Sequence, residues 1–245
     1  MFQTFFYTPI LNLLIFLYNI VPGHDLGIAI ILLTIIIKLL LFPLAQKSIE
    51  SQKSMQELQP KLNEIKIKFA NDKEKMSKEM MDLYKNNKVN PFSSCLPLLI
   101  QMPFLFAVFR VFRTELNNGP LALVYSFIFR PEHINTFAFG FLELSATKNI
   151  ILALLVGAAQ FWQGRMMITK RPEIKTEGSK DEDMTAIMNK QMMYMMPVMI
   201  AFFSYSFPAG LALYWLVNTI LTGVQQIYVF RNVKKSTVIE GEIVK

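Results

Sequence analysis

The chain has 245 residues, 53% of them hydrophobic, and a formal net charge of +7. Its long apolar runs exclude a soluble globule and mark an integral membrane protein. A single cysteine, Cys95, excludes an internal disulfide, and His24 and His133 lie far apart in loops, so neither a metal nor a cofactor is expected.

Residues 1–26 contain no lysine or arginine, so residues 1–22 lack the basic start of a secretory signal peptide. Pro9, Asn12 and Asn19 interrupt this stretch. The expectation is an amphipathic helix lying at the outer interface, with Phe5, Phe6, Tyr7, Phe16 and Tyr18 as anchors. An additional span is the alternative. Residues 27–45, GIAIILLTIIIKLLLFPLA, form the first predicted span. At about 1.5 Å per residue they cover roughly 28 Å, close to the ~30 Å hydrocarbon core of a bilayer. Lys38 sits inside this run. A lysine there costs about 2.5–3.5 kcal/mol on insertion scales. Either it snorkels to the nearer surface, or it is a working cation in a polar cavity.

Residues 46–91 change character and become charged and lysine-rich. Met55, Leu58, Leu62, Ile65 and Phe69 recur at helical steps, as do Met76, Met80 and Leu83. The spacing predicts a cytoplasmic αα-hairpin with a narrow apolar seam. Asn71 and Glu74 suggest a capping box for its second arm, and Pro60 a kink or a first turn in its first arm. The second span, 92–113, carries Ser93, Ser94, Gln101, Pro97 and Pro103. Arg110 and Arg113 fall at its outer end, against the usual charge distribution.

Residues 114–146 are expected outside, with a turn at 117–120 and the short run 121–129 lying along the interface. Residues 147–168 form the third span, with Gly157, Gln160, Gln163 and Gly164. A charged cytoplasmic loop follows at 169–186, then a methionine-rich fourth span at 187–206 with Met188, Met192, Met193, Met195, Met196 and Met199. Such runs serve as core filler or as adaptable apolar surface. Residues 207–230 hold a tight outer turn, Phe207–Gly210, and the fifth span. The tail, 231–245, is short and basic. Because the basic residues concentrate in 46–91, 169–186 and the tail, the N-terminus is expected outside and the C-terminus in the cytoplasm. The same distribution accounts for the positive charge without nucleic-acid binding.

Polar groups recur at membrane depth. Thr34 and Lys38 share a face of the first span, Gln101 lies midway along the second, and Gln160 and Gln163 are one turn apart on the third. Trp215, Asn218, Thr219 and Thr222 share a broad face of the fifth, continued by Gln225 and Gln226. Singly, each reads as glue between helices, worth about 0.6 kcal/mol on average. Together with one cation and no intramembrane carboxylate, they fit a hydrated, net positive groove. No phosphate-binding loop, nucleophile elbow or catalytic carboxylate pair is present in the sequence, so no enzyme is expected.

Four segments resemble the YidC/Oxa1/Alb3 family of membrane protein insertases, in particular a short bacterial form. They are TIIIKLLLFPLAQKS (34–48), MQELQPKLNEIKIKF (55–69), KVNPFSSCLPLLIQMPF (88–104) and FPAGLALYWLVNTILTGVQQ (207–226). The resemblance implies an all-α membrane fold of five helices around a hydrophilic groove in the bacterial plasma membrane. It implies nascent membrane proteins as substrates and the Sec translocon and ribosome as partners. Lys38 stands where bacterial relatives usually carry a groove arginine; it keeps the charge but lacks the guanidinium fork. Gln163 matches the family's groove glutamine, Trp215 its fifth-span aromatic, and 46–91 its substrate- and Sec-contacting hairpin. The short tail weakens any expectation of strong ribosome binding through it. Two competing readings are a small transporter with an intramembrane lysine site and a membrane-anchored coiled-coil scaffold. A transporter predicts an internal repeat, which the sequence lacks, and a scaffold gives the polar groups of four spans no purpose.

Overall fold

Asp25 begins the longest helix of the protein. In the computed structural model, which describes residues 1–90, 96–114, 121–166 and 191–232, its carboxylate accepts from the backbone N–H of Ile28 at 3.0 Å and caps α2 (Leu26–Lys68). Before it stands α1 (Thr8–Ile20), entered through a π-helical turn at Gln3–Tyr7. After it come α3 (Lys73–Asn86), α4 (Leu96–Thr114), a two-residue antiparallel ribbon of β1 (Phe137–Ala138) and β2 (Leu142–Glu143), α5 (Ile150–Met166), α6 (Met196–Ser206) and α7 (Ala209–Asn232). The fold is therefore helical, as the sequence predicts. Among the described residues, α2 alone is both long and apolar enough to cross a membrane by that measure; α5 and α6 are shorter apolar helices.

The core lies between α1, the first half of α2, the second half of α4 and the start of α7. α1 buries Ile10, Leu11, Leu14, Ile15 and Leu17 along one stripe. Tyr7 and Tyr18, expected as surface anchors, are 1% and 4% exposed, whereas Phe5 and Phe16 do face outward. The tyrosines turn inward because each finds a partner there. Tyr7 lies under the Arg110 guanidinium, and the Tyr18 hydroxyl accepts from the Asn135 N–H at 2.8 Å.

Asn12 and Asn19, expected as interruptions, hold the loop after α4. Asn12 donates to the Leu123 carbonyl and accepts from the Tyr125 N–H, at 3.0 and 2.6 Å, and Asn19 donates to the Phe129 carbonyl at 2.8 Å. Residues 121–129 accordingly form turns, with Leu121, Val124 and Ile128 buried in the core and Phe127 and Phe129 exposed. The ribbon that follows was not foreseen. It is pinned to α2 by the Phe139 N–H, which donates to Asp25, and by Ala138, whose methyl fills the space a side chain at Gly27 would need.

The span and the first arm of the expected hairpin are one helix. α2 continues without a break past residue 45, for 43 residues or about 65 Å at 1.5 Å per residue. It runs through Pro43 and also through Pro60, where a kink or start was expected. Pro60 is on the exposed side of the helix, where the carbonyl it leaves unbonded is within reach of solvent. α3 begins one residue later than the Asn71 cap suggested: Asp72 is the cap and accepts from the Lys75 N–H at 3.0 Å. Of the seam, Leu58 and Leu62 are buried, and Met55, Ile65, Phe69, Met76, Met80 and Leu83 are half-buried.

The remaining helices are joined by small-residue contacts. α5 packs on both α6 and α7. A side chain at Gly157 would lie 3.1 Å from the Ala201 methyl, and one at Gly210 would lie 2.7 Å from the Phe112 ring. One at Gly223 would overlap the Trp162 ring. Residues 144–148 are tied to the turn between α6 and α7. The Gly210 N–H donates to the Leu144 carbonyl at 2.9 Å, and the Lys148 N–H to the Tyr205 carbonyl at 2.8 Å. Met195, Met196 and Met199 face outward and Met193 is half-buried, so these four are surface and not core filler. The expectations placed on Ser93, Ser94 and Cys95, the turn at 117–120, the loop 169–186, Met188 and the tail beyond 232 lie outside the described residues.

Gly223→Ala should drive Trp162 from its seat and lower stability by about 1–3 kcal/mol, as overpacking does. Adding Trp162→Leu to that variant should recover part of the loss. Thermal unfolding in detergent measures both. An unchanged midpoint in Gly223→Ala would contradict the contact.

Candidate functional site

Two helices that both begin at the Asp25 end of the molecule set the depth of the site. α2 starts beside the ribbon, and α7 starts at the turn tied to residues 144–146. Lys38 lies twelve residues past Leu26, the first of α2, and Thr222 thirteen past Ala209, the first of α7, so they stand about 18 and 20 Å along their helices. The Lys38 ammonium donates to Thr222 Oγ1 at 2.7 Å. The Thr222 hydroxyl in turn donates to the Asn218 carbonyl at 2.7 Å, so its proton is committed and its lone pairs are left for the lysine. Lys38 is half-buried, and among the described residues it makes no salt bridge.

Further contacts follow the same helix pair. Gln225 Nε2 donates to the Phe42 carbonyl at 3.4 Å, and Lys53 Nζ to the Phe230 carbonyl at 3.1 Å, close to the C-terminal end of α7 where a cation is favoured. Thr34, one turn before Lys38, is 1% exposed, and its hydroxyl donates to the Ile30 carbonyl of its own helix at 2.7 Å. It forms part of the packed wall on that side.

Gln101 reaches α7 at Tyr214, a residue that sequence reasoning does not place among the polar groups. Its Nε2 donates to the Tyr214 hydroxyl at 2.6 Å. Tyr214 is 1% exposed, whereas its neighbour Trp215 is half-buried at the core's edge. The signal for Tyr214 was present, because Tyr214, Asn218, Thr222 and Gln226 recur at four-residue steps and form one row along α7. Gln160 and Gln163 on α5 bond to each other, Gln160 Nε2 donating to Gln163 Oε1 at 3.1 Å, and both are half-buried. The structure thus joins Lys38 to Thr222 and Gln101 to Tyr214, and keeps the α5 glutamines as a separate pair. Among the described residues no cluster of metal-ligating side chains occurs.

Such an arrangement can offer positive charge and hydrogen bonds to a passing polar segment. It supplies no nucleophile paired with a base. Comparison with known proteins gives it a context. The family described as "60Kd inner membrane protein" matches residues 16–236. The sequence is 38% identical over 224 residues to a protein of Geotalea daltonii named "Membrane protein insertase YidC", covering 90% of this chain and 36% of that one. A protein of the same name from Syntrophobacter fumaroxidans is 38% identical over 231 residues, covering 94% and 38%. The chain thus spans little more than a third of the length of these relatives. The fold is similar to an "Active YidC insertase crystal structure with the first transmembrane domain resolved", with a TM-score of 0.58, 24% identity, and coverage of 93% of this chain and 46% of that one.

A double-mutant cycle tests the second of the two joined pairs. Tyr214→Phe leaves the Gln101 amide without its acceptor, and Gln101→Leu removes the donor. The coupling energy should lie at about 0.6–1.7 kcal/mol, the range of interhelical hydrogen bonds in membranes. Unfolding free energies of the two single variants and the double variant measure it. Strict additivity would show that the two side chains do not interact.

Proposed function

Because the chain belongs to the YidC/Oxa1/Alb3 family of 60 kDa inner membrane proteins, we propose that it is a membrane protein insertase of the bacterial plasma membrane. Five helices, 27–45, 92–113, 147–168, 187–206 and 207–230, cross the bilayer around a groove open to the cytoplasm. Lys38, Thr222 and Asn218 form the centre of the groove. Gln101, Trp215, Gln160 and Gln163 extend its polar lining, and Thr34 backs it. The N-terminal helix lies outside, and α3 with the second half of α2 forms a hairpin in the cytoplasm, where basic residues concentrate.

The observation that carries this reading is the pairing of Lys38 with a neutral hydroxyl. Inside an apolar helix Lys38 meets a threonine hydroxyl and, among the described residues, no carboxylate, so no counter-charge sits beside it. A hydrophilic segment of a nascent protein enters the groove from the cytoplasm and finds water, amides and one positive charge in place of hydrocarbon. The apolar barrier to its passage is thereby shortened. The substrate's own apolar helix then leaves sideways into lipid, and its burial there drives the step without nucleotide hydrolysis. Family membership favours this over a lysine-based transporter or an anchored scaffold. The family implies the Sec translocon as a partner at the hairpin and the ribosome as a partner of the tail.

The experiment compares two matched single-span substrates, one with an acidic and one with a neutral translocated tail, in proteoliposomes of equal protein content. Lys38→Gln should lower insertion of the acidic-tailed substrate about fivefold, the equivalent of ~1 kcal/mol for one charge, and the neutral one less. Lys38→Arg should retain function, and Lys38→Glu should be worst because it inverts the field. Parental insertion of both substrates by Lys38→Gln and Lys38→Glu would leave Lys38 as a snorkelling anchor.

The hairpin has its own test. Leu62 is 3% exposed, and Leu62→Asp places a charge in the seam. Amide exchange across 73–86 should rise while that of 27–41 stays slow, and insertion should fall. Unchanged exchange over 73–86 would mean that α3 does not depend on the seam.

A further inference from the structure

Two arginines at the Thr114 end of α4 take no part in the lysine site. The Arg110 guanidinium lies over the Tyr7 ring, 4.6 Å from its centroid. A guanidinium stacked in this way keeps its N–H donors in its own plane, directed away from the ring. Arg113 and Thr114, one turn on, are exposed beside it. With Phe2, Phe106 and Phe109 these three residues line an open cavity of about 470 Å³. A second hollow of about 590 Å³ shares Phe2 and Phe106 and continues along α4 past Met102 to Leu99. Between Leu99 and Arg113 the helix rises about 21 Å, more than the ~15 Å of one leaflet's hydrocarbon. The two hollows adjoin at Phe2 and Phe106 and follow one another along α4, a surface trough with cationic groups at one end and apolar walls along the rest.

We propose that this trough seats an anionic glycerophospholipid. The phosphate lies among Arg110, Arg113 and the Thr114 hydroxyl, and an acyl chain runs past Phe106 toward Leu99. Charge is the argument for this occupant. The two arginines stand one turn apart at the end of α4 opposite the lysine-rich stretches, both exposed, and two guanidiniums with ten N–H donors between them favour a net negative headgroup. A zwitterionic headgroup brings its own cation into the same space. The apolar walls require a ligand with a long hydrocarbon chain, which a free phosphate lacks.

The inference rests on the membrane reading given above, but its test does not use insertion, so the two fail separately. Protein purified in detergent is equilibrated with equimolar phosphatidylglycerol and phosphatidylcholine of identical acyl chains, and retained lipid is counted by native mass spectrometry. The parent should retain phosphatidylglycerol in preference by about thirtyfold, as expected for two basic groups at a lipid surface. Arg110→Gln with Arg113→Gln should remove the preference. Lys78→Gln with Lys85→Gln, on exposed positions of α3, should leave it unchanged. Should the double arginine variant fail to purify as one species, Arg113→Gln alone, which spares the Tyr7 contact, must lower the preference several-fold. Equal retention of the two lipids by the parent, or an undiminished preference in the arginine variants, overturns the proposal.

Discussion

The Lys38 ammonium on the Thr222 hydroxyl is the contact around which the two principal helices are set. Inside an apolar helix a cation is tolerated only where something polar receives it. Here the receiver is an oxygen whose own proton is already given to the Asn218 carbonyl. An ammonium has three donors, and one hydroxyl satisfies one of them. The remaining demand for polar partners is what a hydrated groove meets and what a dry helix interface does not. A carboxylate at the same position would neutralise the cation and remove its reach toward other groups.

That contact depends on alignment, and the alignment is fixed at the other end of the helices. Asp25 caps α2 and holds the Phe139 N–H in the same carboxylate, which binds the ribbon to the helix start. The turn before α7 is held by residues 144–146. Both helices therefore enter the bundle from defined points, and nearly equal counts of residues bring Lys38 and Thr222 to one level. Small residues complete the fit: Gly210 admits Phe112 and Gly223 admits Trp162 at distances that no larger residue allows.

Much of this was legible from composition and period. The long apolar run, the lysine inside it, the apolar seam of the arm and the polar face of α7 all follow from residue type and spacing. What escaped was the choice between neighbours and the role of loops. Trp215 and Tyr214 are adjacent, and residue type alone singles out the tryptophan; that Tyr214 meets Gln101 depends on where α4 stands. Asn12 looked like a flaw in an apolar helix because its partners, the backbone groups of Leu123 and Tyr125, lie more than a hundred residues away. Asn71 and Asp72 are both good caps, and the choice of Asp72 rests on one residue of phase. The ribbon at 137–143 carries only two residues per strand, too few for a period to be read.

The continuity of α2 has a mechanical consequence. A rod held near Gly27 against Ala138 places Lys38 about 17 Å from the hold and Lys68 about 62 Å from it. The ratio of the two arms is close to four, so a swing of ~4 Å at the far tip reaches Lys38 as ~1 Å when the helix stays straight and its ties to α7 at Phe42 and Lys53 give with it. That is enough to stretch a 2.7 Å hydrogen bond past its working range. Pro43 and Pro60, each lacking one rung of the helical ladder, are the compliant points through which this leverage must pass.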